Sequence, residues 1–309
     1  MSVHRRRLWA TGIIGIALWT AVTTLSSSAP EALAQPVDSD RSATTTNALR
    51  PLLPNEALTL QPFLSLREPG EIGAIIGHRG DSQAAPENTM PAFASTAEAG
   101  AEYFEIDLRL SSDGVPVVIH DKTVDRTTDG EGLVAELTID ELRSLDAGSW
   151  FDDSFAGTAI PTLDEVLAHA AAGDAGVVIE YKGAWSATEV AGTVEMIQDA
   201  GLEGEVITQS FSKKTVANIA QVAPGLPVGW LTKTIDSSIV ATAQKIGADA
   251  VNPNRVGPRG VDLAHRAGLG VFVWTHDDDP DWAALTSMGV DGIITNRPGA
   301  LVEWMLRRA

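Results

Sequence analysis

The chain has 309 residues, of which 44% are apolar, so it can bury a large core. It has no cysteine, which excludes disulfides, thiol catalysis and thiolate metal sites. Its net charge of −19 excludes nucleic acid as an expected partner, because phosphate backbones are bound by Lys and Arg. An anionic lipid surface would also be repelled, so an anionic partner should be small or locally captured.

The N-terminus has the three parts of a secretory signal peptide. Arg5 to Arg7 form a basic segment, Leu8 to Leu25 is apolar, and Ala32-Leu33-Ala34 is a cleavage signature. We therefore predict that residues 1–34 are a signal peptide and that the protein is secreted or lies at the cell surface. The apolar stretch has about 18 residues, close to the lower limit for a spanning helix, so an uncleaved membrane anchor is the alternative.

Residues 35–70 are rich in Ser, Thr, Pro and Asn and lack a sustained helical or strand period. This composition predicts a linker or a loosely docked N-terminal arm. Residues 71–309 remain for the folded domain, and their length of about 240 is usual for one (β/α)8 barrel.

From residue 73 onward, short apolar runs rich in β-formers alternate with amphipathic helical stretches. Eight units in strict alternation favour an α/β fold, a parallel (β/α)8 TIM barrel, over an open doubly wound sheet. The predicted strands are 73–77, 103–107, 176–180, 205–209, 227–231, 249–252, 270–274 and 291–295. The predicted helices are 89–99, 162–172, 187–200, 213–223, 236–246, 259–267, 280–288 and 299–308.

A ninth apolar run, residues 115–120, follows the second strand too closely for a parallel crossover. The intervening Ser-Ser-Asp-Gly turn predicts an antiparallel β-hairpin. In this hairpin Leu110 would lie opposite Val115, and Glu105 would lie opposite His120. The hairpin would therefore return His120 to the acidic end of the second strand.

Residues 121–161 lack clear periodicity and are predicted to be an insertion after the second strand. Long insertions at this face of a barrel usually cover or shape the site. We expect the same role here.

His78 and Arg79 come directly after the first predicted strand, with a glycine on either side of the pair. The planar guanidinium of arginine matches the geometry of phosphate oxygens, which favours a functional interpretation of this junction. Asn88 lies nine residues later at a predicted helix start. Asn88 or Thr89 could cap that helix, and the Asn88 amide could do so while also pointing at the site.

Glu105 and Asp107 alternate along the second strand, so their side chains point to the same side. Two carboxylates inside an apolar strand are costly to bury unless a cation compensates them. Arg79 and Arg109 could supply that charge, but Glu180, which ends the third barrel strand, can complete an oxygen cage. Hard oxygen ligands favour one divalent cation, Ca²⁺ or Mg²⁺, over zinc.

Further polar side chains fall at strand ends. Lys182 lies two residues beyond Glu180 and could contact a phosphate oxygen. His78 and His120, flanking a metal-bound phosphate, could work as base and acid. Trp274 could line a pocket or pack the barrel mouth. His265 falls in an amphipathic helix and is expected at the surface.

Five short motifs follow one another along the chain: HRG at 78–80, PENT at 86–89, ExD at 105–107, HD at 120–121 and ExK at 180–182. Their order and approximate spacing resemble the glycerophosphodiester phosphodiesterase family of PI-PLC-like TIM barrels. The resemblance covers roughly residues 72–300. It implies hydrolysis of glycerophosphodiesters to an alcohol and sn-glycerol 3-phosphate with one divalent ion.

The resemblance also implies residue roles. Metal ligands would be Glu105, Asp107 and Glu180, the acid and base His78 and His120, and the substrate-binding residues Arg79, Lys182, Asn88 and Trp274. The attacking group would be the substrate's own glycerol hydroxyl, through a cyclic intermediate, or water. Two departures from the family pattern occur at the predicted rim: His276-Asp277 replaces a common Val-Asn, and Asn296 replaces a frequent Asp. They leave the alcohol or glycerol specificity open.

Two rival functions are consistent with this scaffold. A related phospholipase, of the PI-PLC or sphingomyelinase D type, would need an apolar rim facing lipid, for which Trp150, Phe151 and Phe155 are the candidates. A non-catalytic surface-binding barrel would not need the intact histidine and carboxylate set. The predicted export implies proximity to a membrane or cell wall, and no protein partner is inferred.

Overall fold

The computed structural model describes residues 66–71 and 73–308, in which eight parallel strands alternate with helices and close into a barrel. The barrel closes because β1 (Ala74–Gly77) pairs with both β2 (Tyr103–Leu110) and β9 (Gly292–Thr295). This architecture confirms the predicted TIM barrel. The predicted signal peptide and most of the predicted arm, through residue 65, lie outside the described residues.

The strands match the predicted runs to within a few residues. The remaining ones are β3 (Pro116–Val118), β4 (Gly176–Tyr181), β5 (Val206–Ser210), β6 (Val228–Thr232), β7 (Ala250–Pro253) and β8 (Gly270–Val273). Their neighbour order is β1-β9-β8-β7-β6-β5-β4-β2-β3. All carboxyl ends of the parallel strands therefore meet at one face, where barrel sites are built.

The described residues contain nine α-helices, eight around the outside of the barrel and one in the insertion. They are α1 (Met90–Glu98), α2 (Ile139–Arg143), α3 (Leu163–Ala172), α4 (Ala187–Asp199), α5 (Lys213–Val222), α6 (Ser237–Ile246), α7 (Pro258–Arg266), α8 (Asp279–Met288) and α9 (Pro298–Leu306). Among residues 66–71 and 73–308, we find no helix that is long and apolar enough to cross a membrane.

Strand alternation divides the apolar residues between two layers. Ile76, Val178, Ile207 and Phe272 belong to a small cluster that fills the barrel interior. Their sequence neighbours join a much larger cluster between the sheet and the helices. The barrel strands are therefore apolar on both faces along most of their length. Polar side chains begin at their carboxyl ends, at the mouth of the barrel.

The β2–β3 hairpin is confirmed, but its predicted register was wrong by one residue. Leu110 lies opposite Pro116 and not opposite Val115. The turn closes at Ser111, whose backbone N–H donates to the Val115 oxygen at 3.0 Å. Gly114 has a φ of +83°, a left-handed conformation that lets three residues form the loop. The sequence suggested a four-residue turn, which explains the one-residue error.

The one-residue change of register alters which residue of the hairpin lies opposite Glu105, but His120 still lies at the mouth of the barrel. Ile119 donates its N–H to the main-chain carbonyl oxygen of Asp107 at 2.9 Å, so the two strands of the hairpin remain paired up to that point. Arg109 donates Nε–H to the His120 carbonyl oxygen at 2.9 Å. His120 and Glu105 line the same cavity, as the hairpin prediction required.

The insertion at 121–161 is a packed unit beside the barrel. It contains α2, which begins with a capping box between Thr138 and Glu141, and two short 3₁₀ turns. Val124, Val134 and Leu142 are buried in a local core together with side chains of β3. No helix or strand was predicted here, because a helix of five residues is too short to show a period.

The opposite, N-terminal face of the barrel holds a buried carboxylate. Asp291 accepts hydrogen bonds from Arg67 N at 2.7 Å and Val271 N at 2.7 Å. His265 Nε2 lies 2.8 Å from its second oxygen, and only 18% of the histidine side chain is exposed. The expectation of a surface position for His265 was therefore wrong, because its partner comes from a distant part of the chain.

Candidate active site

The predicted site residues come together at the carboxyl ends of the barrel strands. A cavity of about 70 Å³ lies there, and its walls include His78, Arg79, Glu105, His120, Glu180, Lys182 and Trp274. Asp107 lies just beside this wall, in contact with Lys182. Asn88 in turn contacts Asp107. Tertiary structure thus unites the strand ends that the motifs mark separately.

Three carboxylates form a buried acidic cluster. One oxygen each of Glu105, Asp107 and Glu180 lies within 4.8 Å of the other two, and these residues are only 1%, 0% and 6% exposed. Oxygen donors alone, at this spacing, suit a hard divalent cation. Lys182 and Arg79 contact the cluster, so two positive charges face three carboxylates. The donor set therefore fits one divalent ion.

Electrostatics within the cluster support the same conclusion. Burial, reinforced by Asp107 and Glu180, raises the pKa of Glu105 well above its ordinary value. Burial and Asp107 raise the pKa of Glu180 to about 7. For Asp107, burial alone would raise the pKa, but Lys182 and Arg79 hold it below the ordinary value. The two neighbouring cations thus stabilise one carboxylate fully and leave the others short of positive charge.

Lys182 and Arg79 are the two cations in contact with the cluster. Lys182 Nζ lies 2.8 Å from both Asp107 Oδ1 and Glu180 Oε1. Arg79 Nε lies 3.2 Å from Asp107 Oδ2, and its Nη1 lies 2.8 Å from Glu87 Oε1. Both also line the cavity, where they are placed to meet an anionic substrate group.

The β1–α1 loop is held in an unusual conformation around this cluster. Arg79 and Asn88 have φ values of 56° and 58°, which are uncommon for residues other than glycine. The Arg79 conformation directs its N–H to Glu105 Oε2 at 2.9 Å. Asn88 donates from Nδ2 to Asp107 Oδ2 at 2.7 Å and accepts from Asp107 N at 3.1 Å. Asn88 therefore clamps Asp107, while Thr89 occupies the helix N-cap.

Gly80 explains the last letter of the HRG motif. Its φ is +84°, and an added Cβ would lie 2.6 Å from the Ala92 backbone on α1. A side chain here would push the loop away from the helix. Glycine thus allows the tight approach that places both His78 and Arg79 at the cavity.

The tautomer of His78 is fixed by its neighbours. Asp277 Oδ2 accepts from Asn296 Nδ2 at 2.7 Å, which orients the Asn296 amide. The Asn296 oxygen consequently faces His78 Nδ1, at 2.7 Å. An amide oxygen can only accept, so Nδ1 carries the proton and Nε2 keeps its lone pair. Burial and then Arg79 lower the pKa of His78 to about 4, so the ring is neutral at pH 7.

His120 is held by a chain of ion pairs. Its Nδ1 lies 2.6 Å from Asp121 Oδ1, and Arg126 Nε donates to the other Asp121 oxygen at 2.6 Å. Arg126 also donates both terminal nitrogens to Glu87, the residue that pairs with Arg79. Burial first, and then Arg79 and Lys182, lower the pKa of His120, while Asp107 and Asp121 oppose that change. Arg126, from the insertion, therefore fixes the position of His120 through Asp121. It also ties the insertion to the β1–α1 loop, which follows His78.

The far side of the cavity is apolar. Phe211 packs edge-on against Trp274 with ring centroids 5.5 Å apart, and Leu231 lies beside them. Trp274 donates Nε1–H to the main-chain carbonyl oxygen of Asn252 at 2.8 Å, which fixes the plane of the indole. Of the two alternatives predicted for Trp274, lining a pocket or packing the barrel mouth, the structure shows the first.

Several residues of the site had no role in the sequence analysis. Glu87 and Asp121 stand inside the quoted motifs, but their partners are visible only in the fold. Arg126 has no local signal, because it lies in an aperiodic insertion. Asn296 and Asp277 were noted only as departures from the family pattern at the predicted rim, yet their contacts lead to His78.

Taken together, a closed (β/α)8 barrel with two histidines, two cations and a metal-compatible acidic cluster at its mouth defines a phosphodiesterase-type hydrolase barrel. The model of the glycerophosphoryl diester phosphodiesterase family matches residues 78–300. The chain belongs to this family, and its enzymatic class is that of the phosphoric diester hydrolases.

Individual relatives agree with the family match. A glycerophosphodiester phosphodiesterase of Caldanaerobacter subterraneus is 38% identical over 234 residues, covering 74% of this chain and 96% of the relative. The crystal structure of a glycerophosphodiester phosphodiesterase from Agrobacterium tumefaciens is 31% identical, with a TM-score of 0.65, covering 75% of this chain and all of that one.

A third relative carries a bound product. The structure of an Oleispira antarctica phosphodiesterase in complex with the product sn-glycerol-3-phosphate is 27% identical to this chain. Its TM-score is 0.68, and the match covers 76% of this chain and 97% of that one. The family match at residues 78–300 includes the insertion.

Proposed function

We propose that this protein is an exported, metal-dependent enzyme that hydrolyses glycerophosphodiesters to an alcohol and sn-glycerol 3-phosphate by histidine acid–base catalysis. The observation that carries the proposal is the convergence of His78 and His120 on one cavity beside the acidic cluster. The family match and the relative that holds sn-glycerol 3-phosphate support the substrate class.

Glu105, Asp107 and Glu180 are the residues that would hold the divalent ion. When bound, the ion would supply positive charge to stabilise the charge that develops on the phosphate oxygens. We favour Ca²⁺ over Mg²⁺, because an exported protein encounters more free calcium and because all three donors are carboxylates. Arg79 and Lys182 would bind the remaining phosphate oxygens through charge-assisted hydrogen bonds.

His78 is proposed as the general base. Its neutral ring, protonated on Nδ1 by the contact with Asn296, can accept a proton at Nε2 from the attacking hydroxyl. A bond then forms between the attacking oxygen and phosphorus, and the bond from phosphorus to the alcohol oxygen breaks. His120 is proposed as the acid that returns a proton to that alcohol oxygen. Its contact with the Asp121 carboxylate stabilises the charged ring. Attack by water gives sn-glycerol 3-phosphate directly. Attack by the glycerol hydroxyl gives a cyclic phosphate, which water then opens, with His120 accepting the proton of the water and His78 returning its proton to the glycerol oxygen.

Export is proposed from the N-terminal sequence alone. The basic segment, the apolar stretch and the A-x-A site are the supporting features. Expression with and without residues 1–34, followed by fractionation and N-terminal sequencing of the mature protein, tests cleavage after Ala34. Retention of the full chain in the membrane fraction would favour the uncleaved anchor.

Activity is tested on glycerophosphocholine, glycerophosphoinositol and intact phospholipid, with and without a chelator. We expect release of sn-glycerol 3-phosphate from the first two, loss of activity with chelator, and recovery with added Ca²⁺. Trp150 is 41% exposed on the insertion, so the phospholipid arm addresses the rival lipid-facing function. Product from lipid alone would contradict the proposal.

Single variants test the two histidines. His78→Ala and His120→Ala should each lower kcat by about 100-fold to 10,000-fold, the usual contribution of general acid–base catalysis. His169→Ala is the matched control, because His169 is half-buried on α3 and does not line the cavity. Unchanged turnover in His78→Ala would exclude the catalytic assignment.

A further inference from the structure

A second and larger cavity adjoins the active site. Its volume is about 300 Å³, and it lies between the end of β2, the insertion and the loop that follows β4. Lys182 lines both this cavity and the smaller one that contains the two histidines. A molecule that crosses Lys182 would therefore occupy both spaces. We call the larger one the outer cavity.

The charges on the outer cavity are all positive. Arg109, Lys122 and Lys182 line it, and no carboxylate does. Asp107 and Glu180 already pair with the Lys182 ammonium, so Arg109 and Lys122 supply the positive charge that is left for a ligand. Arg109 binds the His120 carbonyl through Nε and Nη2, which leaves Nη1 for another acceptor. In the part of the chain that the structure describes, the Lys122 ammonium has no carboxylate oxygen within 4 Å. This concentration of positive charge is unusual in a chain with a net charge of −19.

The apolar walls of the outer cavity are rigidly held. Trp185 is only 3% exposed, packs edge-on against Tyr181, and donates Nε1–H to the Lys182 carbonyl at 3.2 Å. Val134, from the insertion, is 1% exposed and supplies the facing wall. A polar ligand group would thus meet cations at the rim, and a carbon skeleton would meet fixed apolar surface.

We propose that the outer cavity receives the leaving alcohol and selects alcohols that bear an anionic group, a carboxylate or a second phosphate. This inference rests on the proposed function. The acid that protonates the leaving oxygen must be next to the alcohol. His120 lines the smaller cavity, and its main-chain carbonyl accepts from Arg109, which lines the outer cavity. The glycerol half then lies in the smaller cavity, against Trp274 and Phe211.

Three substrates that differ in the charge of the alcohol test the proposal. They are glycerophosphocholine, with a cationic alcohol, glycerophosphoinositol, with a neutral one, and glycerophosphoinositol 4-phosphate, with an anionic one. We expect kcat/KM of the wild-type protein to rise in that order. In Lys122→Glu the ratio of kcat/KM for the anionic substrate to that for the neutral one should fall by about twofold to fivefold, the effect of one exposed charge pair.

Lys233→Glu is the matched control. Lys233 is an exposed residue directly after β6, lines neither cavity, and gives the same change in net charge. Its three kcat/KM values should equal those of the wild type. Circular dichroism confirms that both variants fold.

Equal kcat/KM for the three substrates in the wild type would overturn the charge selection. The same result follows if Lys122→Glu changes the ratio no more than Lys233→Glu. Hydrolysis of none of the three, with the metal supplied, would overturn the proposed function itself and this inference with it. The expected shift should also weaken as ionic strength rises, because salt screens an exposed pair.

Discussion

Asp277→Asn should disable His78 although the two side chains do not touch. In the structure Asp277 Oδ1 accepts from Asn296 N at 2.7 Å and from Thr295 Oγ1 at 2.9 Å. Asp277 Oδ2 accepts from Asn296 Nδ2 at 2.7 Å. An asparagine offers one oxygen and one NH₂ group, so one of these donors would then face another donor.

Either orientation of the new amide is unfavourable. If its NH₂ faces the Asn296 backbone, an unsatisfied donor costs about 1–3 kcal/mol of the free energy of unfolding. If its NH₂ faces the Asn296 side chain, that amide must flip and present its own NH₂ to His78 Nδ1. The His78 proton would then move to Nε2 and block the base. We expect the second outcome and a fall in kcat of about 100-fold or more.

The reciprocal double variant distinguishes this tautomer control from general damage. Asn296→Asp alone places two carboxylates 2.7 Å apart, so they must share a proton or separate. Asp277→Asn combined with Asn296→Asp restores every donor–acceptor match, and kcat should largely recover. A carboxylate then faces His78, so the pKa of His78 should rise from about 4 toward the ordinary value of a histidine. The pH at which kcat/KM falls on the acid side should rise with it, because His78 must be neutral to act as the base.

The assay measures kcat and kcat/KM for glycerophosphocholine from pH 3.5 to 8 in the wild type, both single variants and the double variant. The other charges that face His78, on Arg79, Asp107 and Lys182, are the same in all four proteins. Asp281→Asn is the control, because its exposed carboxylate pairs with His276 outside this chain of contacts. Wild-type kcat in Asp277→Asn, or a folded double variant no better than either single variant, would refute the reasoning.

Three further substitutions test the metal cluster, the insertion and the N-terminal face of the barrel. Glu105→Gln should weaken binding of Ca²⁺ or Mg²⁺ by about tenfold or more, measured by calorimetry without substrate, since one ligand charge is lost; unchanged affinity would exclude Glu105 as a ligand. Arg126→Ala should lower kcat by about tenfold by releasing Asp121 and hence His120, and Arg126→Lys should recover only part of it. Asp291→Ala should lower the free energy of unfolding in urea by about 2–3 kcal/mol, because Val271 N and Arg67 N lose their acceptor. Activity at 25 °C should remain, since Asp291 is at the opposite face from the site.

Strand and helix identity followed from the sequence because each unit carries its own apolar period and its own turn residues. Those periods depend on neighbours along the chain, so the eight barrel strands could be located to within a few residues. The hairpin register was harder to predict. One hydrogen bond from Ser111 decided between two turns that the same Ser-Ser-Asp-Gly sequence allows.

The site divides in a similar way. Residue types at strand ends were sufficient to predict His78, Glu105, Asp107 and Glu180 as one cluster, because parallel strands of a barrel end at one face. Their partners could not be predicted. Arg126 approaches Glu87 only because the insertion folds back over the β1–α1 loop.

Asn296 is the clearest example of what only the tertiary structure decided. By sequence it is a departure at the rim, more than two hundred residues from His78. In the fold its amide oxygen lies 2.7 Å from that histidine and determines which nitrogen is free to act. The sequence determined which chemical groups would be present and on which elements. The tertiary structure decided their pairing, because hydrogen bonds and pKa values depend on distances of a few ångströms that no local pattern encodes.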